Sequence, residues 1–239
     1  MGEPAENEAA RTQRLLTAQE KAAELFDAVA DRGILAPGVR ETEASDAIRD
    51  LAGDLLGIRR YWHKRIVRAG VNTLQPYREN PPDRVLAEDD IVFADFGPIF
   101  EDWEADFGRT FVLGDDPVKH RLRETLPVLF DAGRAYFAAR PDITGAELYA
   151  HMVELAREAG WEFGGSIAGH LVGQFPHEPI DGARIDSYIA PGSDGPMRRP
   201  DRTGRPSHWI LEVHLVDREL GIGGFFEQLL DIGPAAAGS

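Results

Sequence analysis

Residues 91–114 read IVFADFGPIFEDWEADFGRTFVLG, two apolar runs that each carry an aspartate, joined by a middle rich in turn residues. Acidic residues are depleted in strands, and side chains along a strand alternate between its two faces. Ile91, Phe93 and Asp95 therefore share one face of the first run, and Asp106, Gly108 and Thr110 share one face of the second. If the runs pair as a hairpin around GPIFEDW, Asp95 and Asp106 project to the same side. The pattern returns near the C-terminus, where Ile210, Glu212 and His214 share a face of WILEVHLV and Phe225, Glu227 and Leu229 share a face of GFFEQLL. Two readings stand. The four acids are either solvent-facing positions of half-exposed strands, or a gathered cluster among large apolar neighbours. A buried cluster without compensation costs several kcal/mol per charge or forces protonation. Two divalent cations would neutralise four carboxylates.

Outward from this stretch the chain alternates helices and strands. Thr17-x-x-Glu20 has the form of a capping box, so AQEKAAELFDAVADRG reads as a helix ending at Gly33, after a polar, acidic and flexible segment over residues 1–14. A second helix is predicted from about Thr42 to Gly57. The texture then turns to strand in YWHKRIVRAG, DDIVFADFG and EADFGRTFVLG. The second half repeats this order. DPVKHRLRETLPVLFDAGRAYFAAR predicts a long helix with Pro127 as a kink or interruption, and Thr144-x-x-Glu147 caps another through about Gly160. Strand-like segments follow around residues 163–175, at HWILEVHLV and at GGFFEQLLDI. Two helices followed by strands, twice over, predicts two α+β halves sharing one core.

Composition narrows the function classes. The chain has 239 residues, 26 Lys plus Arg against 41 Asp plus Glu, and a net charge of -15. That balance disfavours nucleic-acid backbones and anionic membranes as partners. With no cysteine, thiolate metal sites, iron–sulfur clusters and cysteine nucleophiles are excluded. No apolar run approaches the ~18–20 residues of a membrane span, and the first residues lack the apolar core of a signal peptide, so a cytoplasmic location is expected. The imidazole that would complete a metal shell is sought in GSIAGHLVGQFPHEP, where His170 and His177 lie seven residues apart in a Gly-rich segment. These are either satisfied structural histidines or functional ones.

Taken together, these segments resemble the metallohydrolase family of methionine aminopeptidase, prolidase, aminopeptidase P and creatinase, which has the pita-bread fold. The resemblance runs from about residue 17 to 233. DFGPIFEDWEADFGRTFVLGD is similar to the family's Asp-x-Gly … Asp-x-x-Arg-Thr-Phe-x-x-Gly signature, and GHLVGQFPHEP to its Gly-His-x-x-Gly … His-Glu-x-Pro. The resemblance implies an α+β fold of two pseudo-symmetric halves, helices packed on a curved, mainly antiparallel sheet, in one catalytic domain over residues 15–235. It places Asp95, Asp106, His170, Glu212 and Glu227 at the five ligand positions for two divalent ions. Asp106 and Glu227 would bridge the ions, Asp95 would complete one shell, and His170 with Glu212 the other. Such a donor set suits Mn, Co, Fe or Zn.

Departures cluster away from the ligands. The family's His upstream of the first Asp falls in NTLQPYRENP, with Gln75 and Tyr77 at the expected place; His63, further upstream, is either structural or a substitute. The usual Glu-Pro is Glu212-Val213, and the usual Arg-x-Glu-Asp is Phe225-Phe226-Glu227-Gln228.

The implied chemistry is metal-assisted hydrolysis of a C–N bond, with Glu212 relaying a proton and His177 donating a hydrogen bond to the substrate carbonyl. The leading expectation is an aminopeptidase or Xaa-Pro peptidase-like hydrolase, monomeric or homodimeric, acting on a peptide or small amide. Its rivals are a creatinase-like or ectoine-hydrolase-like small-molecule hydrolase or lyase, and a catalytically silent binding module. The stretch IAPGSDGPMRRPDRTGRPSH carries Arg198, Arg199, Arg202 and Arg205 against Asp194 and Asp201. It is either a solvated loop or a rim in which Arg198 and Arg199 hold a substrate anion.

Overall fold

The Asn7 side chain accepts a hydrogen bond from Ala10 N and opens helix α1 (Glu8–Asp31) in the computed structural model, which describes residues 7–176 and 184–233. The helix begins nine residues before the Thr17 capping signature, and residues 8–14, expected to be flexible, form its first turns. The reason is a long-range contact. Arg11 is buried, donating to Pro206 O at 2.7 Å, with Asp201 3.5 Å away. Helix α2 (Glu41–Leu56) ends at Gly57, as expected. Strands β1 (Ile66–Ala69), β2 (Ile91–Phe96), β3 (Ile99–Phe100), β4 (Trp103–Glu104) and β5 (Phe107–Val112) complete the first half.

In the second half, Asp116 caps α3 (Pro117–Ala138) through Val118 N, and the helix runs through Pro127 without interruption. Thr144 and Glu147 form the expected capping box of α4 (Gly145–Glu158). Strands β6 (Glu162–Phe163), β7 (Leu171–Val172), β8 (His208–Asp217) and β9 (Ile222–Leu229) follow.

The main sheet has the order β1-β2-β5-β9-β8-β6, every neighbouring pair antiparallel, with β7 also on β8. Outward from the β5–β9 junction, each half contributes a strand, its hairpin partner and an edge. Period-2 alternation assigns the two faces. Val92, Ala94 and Phe96 pack with Leu15, Phe26, Ile48 and Leu51 of α1 and α2. Leu211, Val213 and Leu215 pack with Leu122, Leu126, Leu148 and Met152 of α3 and α4. Each of the larger buried side chains is worth ~1.5–3 kcal/mol, which commits this face to the helices. The opposite face carries Asp95, Glu212 and Glu227. Among the described residues no helix is long and apolar enough to cross a membrane.

Candidate metal centre

Strand register sets the acidic residues in one row. Asp95 of β2 is paired with Gly108 of β5, Gly108 with Glu227 of β9, and Glu227 with Glu212 of β8. Directly paired residues of antiparallel strands project to the same face, so four successive strands present Asp95, a gap, Glu227 and Glu212 side by side. The gap is Gly108: a Cβ there would lie 2.5 Å from Phe225 Cδ1 and 3.2 Å from Glu227 Cβ. Asp106, two residues before the gap, supplies the fourth carboxylate. Like charges directly opposite one another destabilise a sheet, so the row needs a counter-charge.

The β5–β9 junction is braced by the rest of the Gly108-Arg109-Thr110 run. Thr110 Oγ1 donates to Phe225 O and accepts from Phe225 N, at 2.8 and 2.7 Å. On the helix-covered face the Arg109 guanidinium lies between the rings of Phe107 and Phe226, 3.7 and 3.9 Å from their centroids, and donates to Glu227 O at 2.9 Å.

Two imidazoles meet the row. The chain before β7 continues the ladder along β8, with Ile210 N donating to His170 O and Glu212 N to Ala168 O. His170 Nε2 thereby lies 3.0 Å from Asp106 Oδ2, 3.7 Å from Glu212 Oε1 and 4.0 Å from Glu227 Oε1. His63 arrives on the opposite side, its Nε2 3.1 Å from Asp106 Oδ1 and 3.5 Å from Asp95 Oδ1. Asp106 thus offers one oxygen to each imidazole. Two groups of potential ligand atoms, each within 4.8 Å, share it: His63, Asp95 and Asp106, and Asp106, His170 and Glu227. His63 was legible only as an open alternative; the strand expected over YWHKRIVRAG begins only at Ile66, which leaves His63 in the segment before it.

All four carboxylates are buried or nearly so; Asp95, Asp106 and Glu227 are at most 6% exposed. Burial raises Asp95 to about 7 and Glu212 to about 8, against the pull of His63 and His170 respectively, and raises Glu227 well above the usual range, with Asp106 and Glu212 adding repulsion. Burial also pushes Asp106 upward, but the two imidazoles override it and hold its carboxyl below the usual range. Burial alone would lower both histidines; Asp95 and Asp106 beside His63, and Asp106 beside His170, lift each to about 9. The cluster neutralises itself by retaining protons, at the positions where cations would displace them. Asp95 Oδ1, buried with no hydrogen-bond partner, is a second sign that the donor set is built for an ion. Oxygen-rich sets with imidazole fit divalent transition metals.

Of the residues expected in the site, Asp95, Asp106, His170, Glu212 and Glu227 come together. Arg198 and Arg199 do not. Arg198 stacks on Phe137 and donates to the carbonyls of Phe137 and Arg140 at the end of α3, and Arg199 donates to Pro196 O and Asp186 O. These contacts place the Arg198 guanidinium beside the end of α3, and neither guanidinium is among the groups gathered around Asp106. His177 lies outside the described residues.

The chain is similar to known proteins over most of its length. The sequence model of metallopeptidase family M24 matches residues 13–202. The Xaa-Pro dipeptidase of Pyrococcus furiosus is 28% identical over 163 residues, 66% of this chain and 46% of its own. The agropine synthesis cyclase of Rhizobium rhizogenes is 28% identical over 146 residues, 56% of this chain and 37% of its own. The chain therefore spans less than half the length of these curated relatives. Among solved structures, a dipeptidase from Pyrococcus horikoshii superposes with a TM-score of 0.70 at 20% identity, over 96% of this chain and 62% of that one. Methionine aminopeptidase from Rickettsia prowazekii does so with a TM-score of 0.69 at 16% identity, over 93% of both chains. The structural likenesses carry the pita-bread fold, and the sequence match carries the family: the chain belongs to metallopeptidase family M24.

Proposed function

We propose that the protein is a hydrolase of a C–N bond in a peptide or small amide, working with two divalent ions held by Asp95, Asp106, His170, Glu212 and Glu227. The observation that carries this reading is Asp106, buried, with one carboxylate oxygen 3.1 Å from His63 Nε2 and the other 3.0 Å from His170 Nε2. An aspartate so placed between two ligand groups is suited to bridge, and Glu227, in the middle of the row, is suited to be its partner. Divalent ions supply Lewis acidity toward a carbonyl and acidify a water.

The chain's own residues supply the rest. In the net reaction water oxygen bonds to the carbonyl carbon, the C–N bond breaks, and the departing nitrogen takes a proton. Glu212, mostly buried at the side of the row next to His170, is the proposed acceptor of the water's proton and its carrier to the nitrogen. His177 is the proposed hydrogen-bond donor to the substrate carbonyl. The matched relatives named as dipeptidase and Xaa-Pro dipeptidase support a peptide substrate.

A second reading keeps the metals and changes the substrate to a small molecule. It is favoured by Tyr77, whose half-exposed ring lies 5.8 Å from the His63 ring and which stands where the family resemblance leads one to expect a histidine, and by the similarity to a protein named for a cyclisation. A screen of Xaa-Pro dipeptides, Met-initiated peptides and small N-acyl or guanidino compounds, with added Mn or Co, separates the two. Release of amine from any class, lost in Asp106→Asn at unchanged circular dichroism, supports the hydrolase. Turnover retained by Asp106→Asn contradicts it.

A further inference from the structure

We propose that His63 is a sixth metal ligand, so that each of the two ions has an imidazole of its own; this rests on the two-ion reading above. The five expected positions contain a single imidazole, His170. The structure holds a second that duplicates its setting. His170 Nδ1 lies 2.8 Å from the carbonyl of the next residue, Leu171, and His63 Nδ1 lies 2.7 Å from that of Lys64. In both rings this places the proton on Nδ1 and aims Nε2 at Asp106. A backbone carbonyl holding the distal N–H is the usual support of a ligating histidine, fixing both tautomer and ring orientation. A solvent-facing histidine has no need of it, and the His63 side chain is 5% exposed.

The ligand atoms divide without overlap except at the bridge. His63 Nε2, Asp95 and Asp106 form one group, and His170 Nε2, Asp106 and Glu227 the other. Asp95 Oδ1, the buried oxygen without a hydrogen bond, is on the His63 side at 3.5 Å from Nε2. An ion there satisfies the orphaned oxygen and the imidazole together.

The position of His63 is built. Trp62 N donates to Gly97 O, Trp62 Nε1 to Ala105 O, and Ile99 N to Arg60 O, so residues 60–62 lie against the β2–β3 turn through the antiparallel bridge between Tyr61 and Pro98. The Trp62 ring meets both imidazoles edge-on, with centroids at 4.4 Å from His63 and 5.4 Å from His170. Gly97 leaves the space: a Cβ there would fall 2.2 Å from His63 Cδ2 and 2.4 Å from Trp62 Nε1. An additional nitrogen donor also moves the preference of that ion away from Mn and toward Co or Zn.

The test uses the full chain stripped of metal and titrated with Co(II). Wild type binds two ions, and its paramagnetic proton spectrum shows two exchangeable, strongly shifted ring N–H signals, one per ligated imidazole. His63→Gln keeps a hydrogen-bonding side chain without the ligand. It retains one such signal and binds one of the two ions at least ~10–100-fold more weakly, the loss expected even of a supporting partner. In His63→Ala, added imidazole restores the second ion, which separates ligation from a folding defect. Two ions bound by His63→Gln with unchanged affinities and both signals overturn the assignment while leaving the two-ion reading intact. A wild-type chain that binds one ion or none overturns the two-ion reading and this inference with it.

Discussion

Replacing Glu212 by Gln stabilises the metal-free protein, and bound metal removes that advantage. In the metal-free protein burial raises Glu212 to about 8, against an ordinary 4.5. The folded chain therefore holds a proton that the unfolded chain releases over that window. A group whose folded value is raised makes stability fall as pH rises from 4.5 toward 8. At pH 7.5 the window spans three pH units at ~1.36 kcal/mol each, about 4 kcal/mol. Glutamine has no proton to hold. Glu212→Gln in chelator should unfold at higher temperature than wild type at pH 7.5, by roughly 8–16 °C at full effect for a chain of this size, and the gap should close near pH 4.5. With saturating Mn or Co the difference closes. An ion at a thousand times its dissociation constant stabilises wild type by ~4 kcal/mol, and the variant lacks a ligand. Thermal unfolding followed by circular dichroism, at both pH values with chelator and with metal, checks all four conditions. Equal midpoints in chelator at pH 7.5, or a wild-type advantage there, would refute the reasoning.

Other predictions follow from the same geometry. Gly108→Ala places a methyl 2.5 Å from the Phe225 ring beneath the carboxylate row; the variant should lose ~1–3 kcal/mol by overpacking and bind metal more weakly, measured by urea unfolding and Co(II) titration. Arg109→Lys gives up the planar stack between Phe107 and Phe226 while keeping the charge. Because a lysine does not replace a stacked guanidinium, unfolding should shift by ~1–2 kcal/mol, with the loosened β5–β9 junction reported by faster amide exchange at Glu227. Arg198→Gln removes two hydrogen bonds to the end of α3 and should lower stability by ~0.5–1.5 kcal/mol without changing KM; a raised KM for an anionic substrate would return Arg198 to the site.

The acidic face was legible because alternation along a strand is local. Asp95, Glu212 and Glu227 each declare their face from two or three neighbours, and register then places them in a row. Helix ends set by adjacent residues were legible for the same reason, as at Thr144 and Gly57. What the sequence concealed depends on contacts across long separations. The first turns of α1, capped locally by Asn7, are held by Arg11 against Pro206, 195 residues away, so the Thr17 signature falls inside the helix. The backbone carbonyls that Arg198 and Arg199 meet likewise leave no trace in composition. His63 is the plainest case. It reaches Asp106 from 43 residues away, through a segment whose pairing with residues 97–99 no local pattern announces.

The most direct test of the central claim, that the buried carboxylate row exists to hold divalent ions, is anomalous diffraction from crystals grown with Mn. The account predicts two manganese peaks enclosed by Asp95, Asp106, His170, Glu212 and Glu227, with Asp106 touching both. Crystals that diffract well and show no ion among these side chains, or manganese only on surface carboxylates, would contradict it.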